Sequence, residues 1–144
     1  MKSKYFLVSF LFVLMIACKK DPLTKPQISI ESINTLIPVG GGLQAKLKFT
    51  QKNGKLATGI FIAIRNRLNQ IPLPIGTASA DTLTGPIPDF PDKNKGEFLF
   101  TLDYSYLHQS DVENDTIQFK FAVVDAGGNK SDTVTSDKVV VLFQ

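Results

Sequence analysis

Between Leu43 and Thr50 every second residue is apolar: Leu43, Ala45, Leu47 and Phe49 alternate with Gln44, Lys46, Lys48 and Thr50. A strand turns successive side chains to opposite faces, whereas a helix groups its apolar residues three and four apart, so this period of two predicts a strand with one buried face. The period recurs along the chain. Ile28 and Ile30 alternate with Ser29 and Glu31; Phe98, Phe100 and Leu102 do so within Glu97–Asp103; Ile117, Phe119, Phe121 and Val123 do so against Gln118 and Lys120. Gly59 to Arg65 is apolar on both parities, which predicts a central strand, and Val139 to Phe143 predicts a final one. Gly40-Gly41-Gly42 marks a turn, and Lys52-Asn53-Gly54-Lys55 carries the Asn-Gly pair that tolerates positive φ in a tight hairpin. Six strands, one or two weaker ones and little room for helix predict two antiparallel layers around one core.

The segment Phe119-Lys120-Phe121-Ala122-Val123-Val124-Asp125-Ala126-Gly127-Gly128-Asn129-Lys130-Ser131, followed by Val139-Val140-Val141, resembles the last hairpin of bacterial immunoglobulin-like domains, in which a strand ends in Asp-x-x-Gly-Asn-x-Ser. The resemblance covers about a fifth of the chain and implies an all-β fold: a single antiparallel immunoglobulin-like β-sandwich of about seven strands. The chain has no tryptophan and a single cysteine, so the buried Trp and inter-sheet disulfide of a true immunoglobulin domain are missing. An immunoglobulin-like and a fibronectin type III-like arrangement both fit. Neither implies an activity, because this architecture hosts many functions.

The start of the chain has a different logic. Lys2 and Lys4 give a short cationic beginning, and Tyr5 to Ile16 is a run of twelve residues broken only by Ser9. Charge followed by an apolar run is the pattern of an export leader. At about 1.5 Å per residue such a run reaches roughly 18 Å as a helix, well short of the ~30 Å hydrocarbon core of a bilayer. It ends in Leu14-Met15-Ile16-Ala17-Cys18, which resembles the lipobox of bacterial lipoproteins, with Met15 where leucine is commonest. The resemblance implies cleavage after Ala17 and lipidation of Cys18, whose thiol can form the thioether. Cys18-Lys19-Lys20-Asp21 is also similar to the start of many lipoproteins of Bacteroidota. It lacks the acidic stretch that often follows the cysteine in surface-exposed members, so an outer-membrane lipoprotein facing the periplasm is expected in preference to one on the cell surface. Asp21 to Pro26 holds two prolines and little to bury, as an extended spacer would. The expected organisation is thus a leader over 1–17, a lipidated cysteine and tether over 18–26, and the sandwich over 27–144.

Charge excludes one class of partner. The chain carries 16 basic and 13 acidic residues; Lys2 and Lys4 would leave with the leader, so 14 then face 13. No basic run beyond Lys19-Lys20 remains to hold phosphates, and no nucleic acid is expected as a partner. A catalytic inventory is equally thin. His108 is the one histidine, without a Gly-x-Ser-x-Gly elbow, and is expected to be an exposed loop residue rather than part of a triad. One histidine cannot build a zinc site. Calcium would need Asp111, Glu113 and Asp115 to meet Asp125, Asn129 and Asp132 at one end of the sandwich; the commoner role of Asp and Asn there is to cap turns. Neither an enzyme, a metal nor a cofactor is expected.

Two places remain for a ligand. Leu68 to Asp92 holds five of the eight prolines, interleaved with Ile71, Leu73, Ile75, Leu83, Ile87 and Phe90. Proline breaks a central strand, so this is a long connection with at most an edge strand around Ile75 to Leu83. Ile87, Pro88 and Phe90 would form a partner surface if they point outward, or cover an open edge if they fold back, and folding back is favoured. Tyr104 and Tyr106 would stack on sugar rings if exposed side by side, or pack locally. The expected function is a membrane-anchored, non-catalytic binding, structural or accessory module, with a glycan-binding accessory lipoprotein of a carbohydrate uptake system as the alternative. Its partners would be the membrane and either another envelope protein or a glycan.

Overall fold

The computed structural model describes residues 25–52, 56, 58–90 and 94–143. The expected leader, Ala17, Cys18 and the expected turn at Asn53-Gly54 lie outside the described residues.

The strands form where the alternation placed them. β1 (Gln27–Ile33), β3 (Gly42–Thr50) and β6 (Lys95–Asp103) make a three-stranded sheet in the order β1-β3-β6. A five-stranded sheet packs against it in the order β2-β8-β7-β4-β5, with β2 (Leu36–Ile37), β4 (Ile60–Arg67), β5 (Ala80–Pro86), β7 (Asp115–Val124) and β8 (Val134–Val141). One turn of helix, α1 (Tyr104–Leu107), follows β6. Among the described residues the result is an all-β sandwich of eight strands. One pairing departs from the antiparallel rule, since the two-residue β2 runs parallel to β8.

The core lies where the apolar parity of each strand turns inward. Leu43, Ala45, Leu47 and Phe49 of β3 are buried, as are Ile117, Phe119, Phe121 and Val123 of β7. Phe61 of β4 sits at the meeting of both layers, with ring centroids 5.0 Å from Phe98, 5.3 Å from Phe100 and 5.9 Å from Phe121. Gly96 faces the same space. A methyl group there would lie 2.5 Å from the Phe49 ring and 2.9 Å from Phe90, so the close approach of β6 to Phe49 requires glycine.

Three expectations change. β3 and β4 do not pair as a hairpin, because they belong to different sheets; Leu56 between them is buried. The edge strand of the proline-rich segment forms at Ala80–Pro86, beyond Ile75. The final strand starts at Val134 and ends at Val141, short of Phe143. Its polar first half hid it: Ser136 is buried, fills an irregularity in the β7–β8 ladder and accepts a hydrogen bond from Phe119 N at 3.0 Å through its Oγ.

Phe61→Ala should lower unfolding stability by about 3–5 kcal/mol, the range for removing a fully packed aromatic ring. Urea denaturation checks this, as a lower midpoint with an unchanged slope.

Candidate functional site

The strands run between two poles. The chain enters at the proximal pole, where β1 begins, and the distal pole holds the ends of β1, β4, β6 and β8 and the starts of β5 and β7.

The distal pole is built on two arginines. Arg65 and Arg67 continue the inward parity of Phe61 and Ala63, so both point under the distal loops rather than into water. The Arg65 guanidinium lies 4.5 Å from the centre of the Tyr106 ring, donates to Tyr106 O at 2.6 Å and reaches Ala78 O at 3.4 Å. The Arg67 side chain is 2% exposed. It donates through Nε to Asp115 Oδ1 at 2.5 Å, through Nη2 to Glu113 at 2.7 Å and through Nη1 to Ile71 O at 2.7 Å. Asp115 is fully buried, and its second oxygen accepts the backbone N–H groups of Gln109 at 2.6 Å and Ser110 at 3.0 Å. A buried charge pair is tolerable only when its remaining hydrogen-bonding capacity is filled. Here it is filled by the loop backbone, which fixes the loops. Asn69 and Asn114 complete the lacing: Asn69 binds Asn114 O and Thr116 N, and Asn114 Oδ1 accepts from Phe143 N.

Around this layer several large apolar side chains are exposed. Nine large hydrophobic residues are exposed among the described residues, and seven of them lie at this pole: Leu36, Val39, Leu68, Ile71, Ile75, Val112 and Phe143. His108 stacks between Tyr104, 5.1 Å away, and Phe143, 6.0 Å away. These three rings, Val39 and Asp111 line an open hollow of about 300 Å³.

The candidate residues from the sequence fall as follows. Ile87 is 5% exposed in the core and Phe90 packs on Phe49 with centroids 4.9 Å apart, so of the two arrangements open to Ile87, Pro88 and Phe90 the favoured one, folding back, is adopted, and only Pro88 is left outside. The cause is the gap left at Gly96, which Phe90 fills. Tyr104 and Tyr106 do not share a platform. Tyr104 donates its hydroxyl to Leu142 O beyond β8 at 2.7 Å, while Tyr106 donates to Asp81 on β5, with β7 and β4 in between. Burial, then the Asp81 bond, raises the Tyr106 hydroxyl above its usual pKa, and the same hydroxyl leads the causes holding Asp81 below its own.

His108 is half-buried rather than an open loop residue. Its Nδ1 lies 3.6 Å from Asp115 Oδ2, beyond hydrogen-bonding distance, and that carboxylate is engaged by Arg67 and the loop.

The acidic stretches do not meet. They flank β7, whose ten residues span roughly 30 Å at about 3.3 Å each. Among the described residues no three His, Cys, Asp or Glu side chains are placed to hold a metal.

Asp125 instead caps the β7–β8 turn. It accepts from Asn129 N at 2.8 Å, Asn129 Nδ2 at 3.0 Å and Gln51 Nε2 at 2.6 Å, with Gly128 at φ +78° completing the bend. Burial raises its pKa, but the hydrogen bonds from Asn129, Gln51 and Gly127 outweigh burial and hold it below the usual carboxylate range.

These elements define a two-sheet β-sandwich module with one apolar, internally braced end. No protein-family model matches the chain, and no curated protein matches it. Solved structures similar to it include a cohesin module from a family 33 glycoside hydrolase of Clostridium perfringens, at 12% identity and TM-score 0.42 over 84% of this chain and 99% of that one. A β-glucosidase from Listeria innocua matches at 11% identity and TM-score 0.43 over 82% of this chain and only 16% of its own length. The soluble domain of PmoD from Methylocystis matches at 17% identity and TM-score 0.34, over 81% and 90% of the two chains.

Two outcomes are expected. Arg67→Ala and Asp115→Ala should each cost about 3–5 kcal/mol, because each breaks a buried charge pair by removing one partner, and the double variant should cost clearly less than the sum; a double-mutant cycle in urea measures this. The stabilisation from Asp125 should be complete above its unfolded pKa of about 3.9 and disappear as the pH falls through its lower folded value. Stability measured against pH should therefore lose part of its acid dependence in Asp125→Asn.

Proposed function

We propose that the chain is a lipid-anchored, non-catalytic module of the bacterial envelope that presents its distal pole to a protein partner. The observation that carries the reading is the segregation of surface chemistry. The chain enters the sandwich at Lys25, at the proximal pole, while seven of the nine exposed large hydrophobic residues lie at the opposite pole. Exposed apolar residues gathered at one end of a domain are the chemistry by which an interaction surface is recognised.

The lipobox-like Leu14-Met15-Ile16-Ala17-Cys18 supplies the tether. Each buried acyl methylene adds about 0.8 kcal/mol, and more than one chain makes anchoring stable. The seven peptide units from Cys18 to Lys25 reach at most about 25 Å when extended. A domain leashed there turns its proximal pole to the bilayer and its apolar pole outward. Lys19-Lys20-Asp21, with no acidic stretch, supports the outer membrane and its periplasmic face.

A protein partner is favoured over a glycan. Ile71, Ile75, Val112 and Val39 are aliphatic, and the two tyrosines a sugar would stack on are tied to opposite sides of the five-stranded sheet.

Fractionation of cells fed labelled fatty acid tests the tether. The wild-type chain should carry label and partition into detergent, and Cys18→Ser should carry none. A Cys18→Ser chain that is labelled, or processed as the wild type is, would remove the anchor from this reading. Photo-crosslinkers at Val112 and Phe143 should capture an envelope protein and those at Lys48 should not; retention on a polysaccharide gel that Tyr104→Ala abolishes would favour the glycan instead.

A further inference from the structure

The two sheets present four edges, and three are blunted. β1 carries an irregularity between Ile30 and Ser32, β2 is two residues long, and β5 turns the charge of Asp81 inward and ends in Gly85-Pro86. Each is a known way of stopping edge-to-edge association. β6 has none. It runs for nine residues without proline, pairs with β3 in unbroken register from Lys95↔Thr50 to Asp103↔Gly42, and has no strand on its other side among the described residues.

We infer that this edge is a self-association surface, and that a second copy of the chain adds its β6 antiparallel to form one continuous six-stranded sheet. The sequence of β6 is self-complementary about its centre. A two-fold axis through Leu99 sets Leu99 against Leu99 of the copy, Lys95 against Asp103, and Glu97 against Thr101 on the outer face, with Phe98 against Phe100 on the inner face. No like charges oppose each other in this register, and opposite charges meet at both ends. Leu99 is the observation that singles out the axis. It is 58% exposed on a face otherwise occupied by the Glu31, Lys46, Lys48 and Glu97 ion pairs, and it sits at the middle residue of the strand. Self-pairing about that point covers both copies of it at once, as an isologous contact does. Lys46 holds Glu97 by a hydrogen bond that lowers the Glu97 pKa, which keeps this carboxylate turned towards β3 and away from the new partner.

Disulfide trapping tests the register. In the full chain carrying Cys18→Ser, a cysteine introduced at position 99 is the only thiol. Directly opposed residues have Cβ atoms about 4.5–5.5 Å apart, near the disulfide range, whereas two copies of residue 101 lie four residues out of register, roughly 13 Å apart. Oxidation of intact cells with copper phenanthroline, read on non-reducing gels, should double the mass of most of the Leu99→Cys chain and leave Thr101→Cys monomeric. Co-expressed Glu97→Cys and Thr101→Cys chains should cross-link to each other. A monomeric Leu99→Cys chain, or equal trapping at 99 and 101, overturns the inference. The Cys18→Ser background removes the proposed anchor, so this result stands or falls apart from the tether.

Discussion

The pairing of Arg67 with Asp115 inside the distal pole is the interaction on which the rest of that end depends. Removing both charges from water is costly, and their attraction alone does not guarantee a net gain. What makes the pair tolerable is that nearly every remaining donor and acceptor is used: Glu113 and Ile71 O on the arginine, and the N–H groups of Gln109 and Ser110 on the aspartate. The loops are therefore ordered by the same bonds that satisfy the charges. A hydrophobic surface on loops needs such a foundation, because apolar side chains on an unbraced loop would collapse inward.

The proximal pole is held by different physics. There Phe49, Phe90 and Gly96 close the core by packing, and Asp125 with Asn129, Gly128 and Gln51 ties the turn between β7 and β8. That turn is small and polar, and its carboxylate is held by Asn129 and Gln51. The two poles thus differ in what closes them: packing and a polar turn at one, a buried ionic layer under exposed apolar side chains at the other.

Most of the fold was legible in the residues. Leu43 to Thr50 could only be a half-buried strand, and the Asp125 to Ser131 segment marked the β7–β8 hairpin through chemistry that needs no distant partner. Pairing across the sandwich was not legible, since Asn53-Gly54 suits a hairpin but cannot report that β3 finds β1 and β6 instead. That Ile87 and Phe90 fold back was the favoured reading, but what they fold onto was not legible: they look like Ile71 and Ile75 until the space beside Gly96 is known. Arg65 and Arg67 were overlooked although a signal existed. They share the parity of Phe61 and Ala63, and two arginines in phase with a buried face announce either a buried ionic layer or the end of a strand.

The bracing of the distal loops is tested most directly by amide hydrogen exchange in the native protein. If the buried ionic layer holds them, the N–H groups of Leu68, Gln109, Ser110, Thr116 and Phe143, which donate to Thr116 O, Asp115, Asn69 and Asn114, exchange far more slowly than unstructured peptide. Exchange of Gln109 and Ser110 at the rate of a free chain would contradict it, and with it the claim that this pole is a preformed surface.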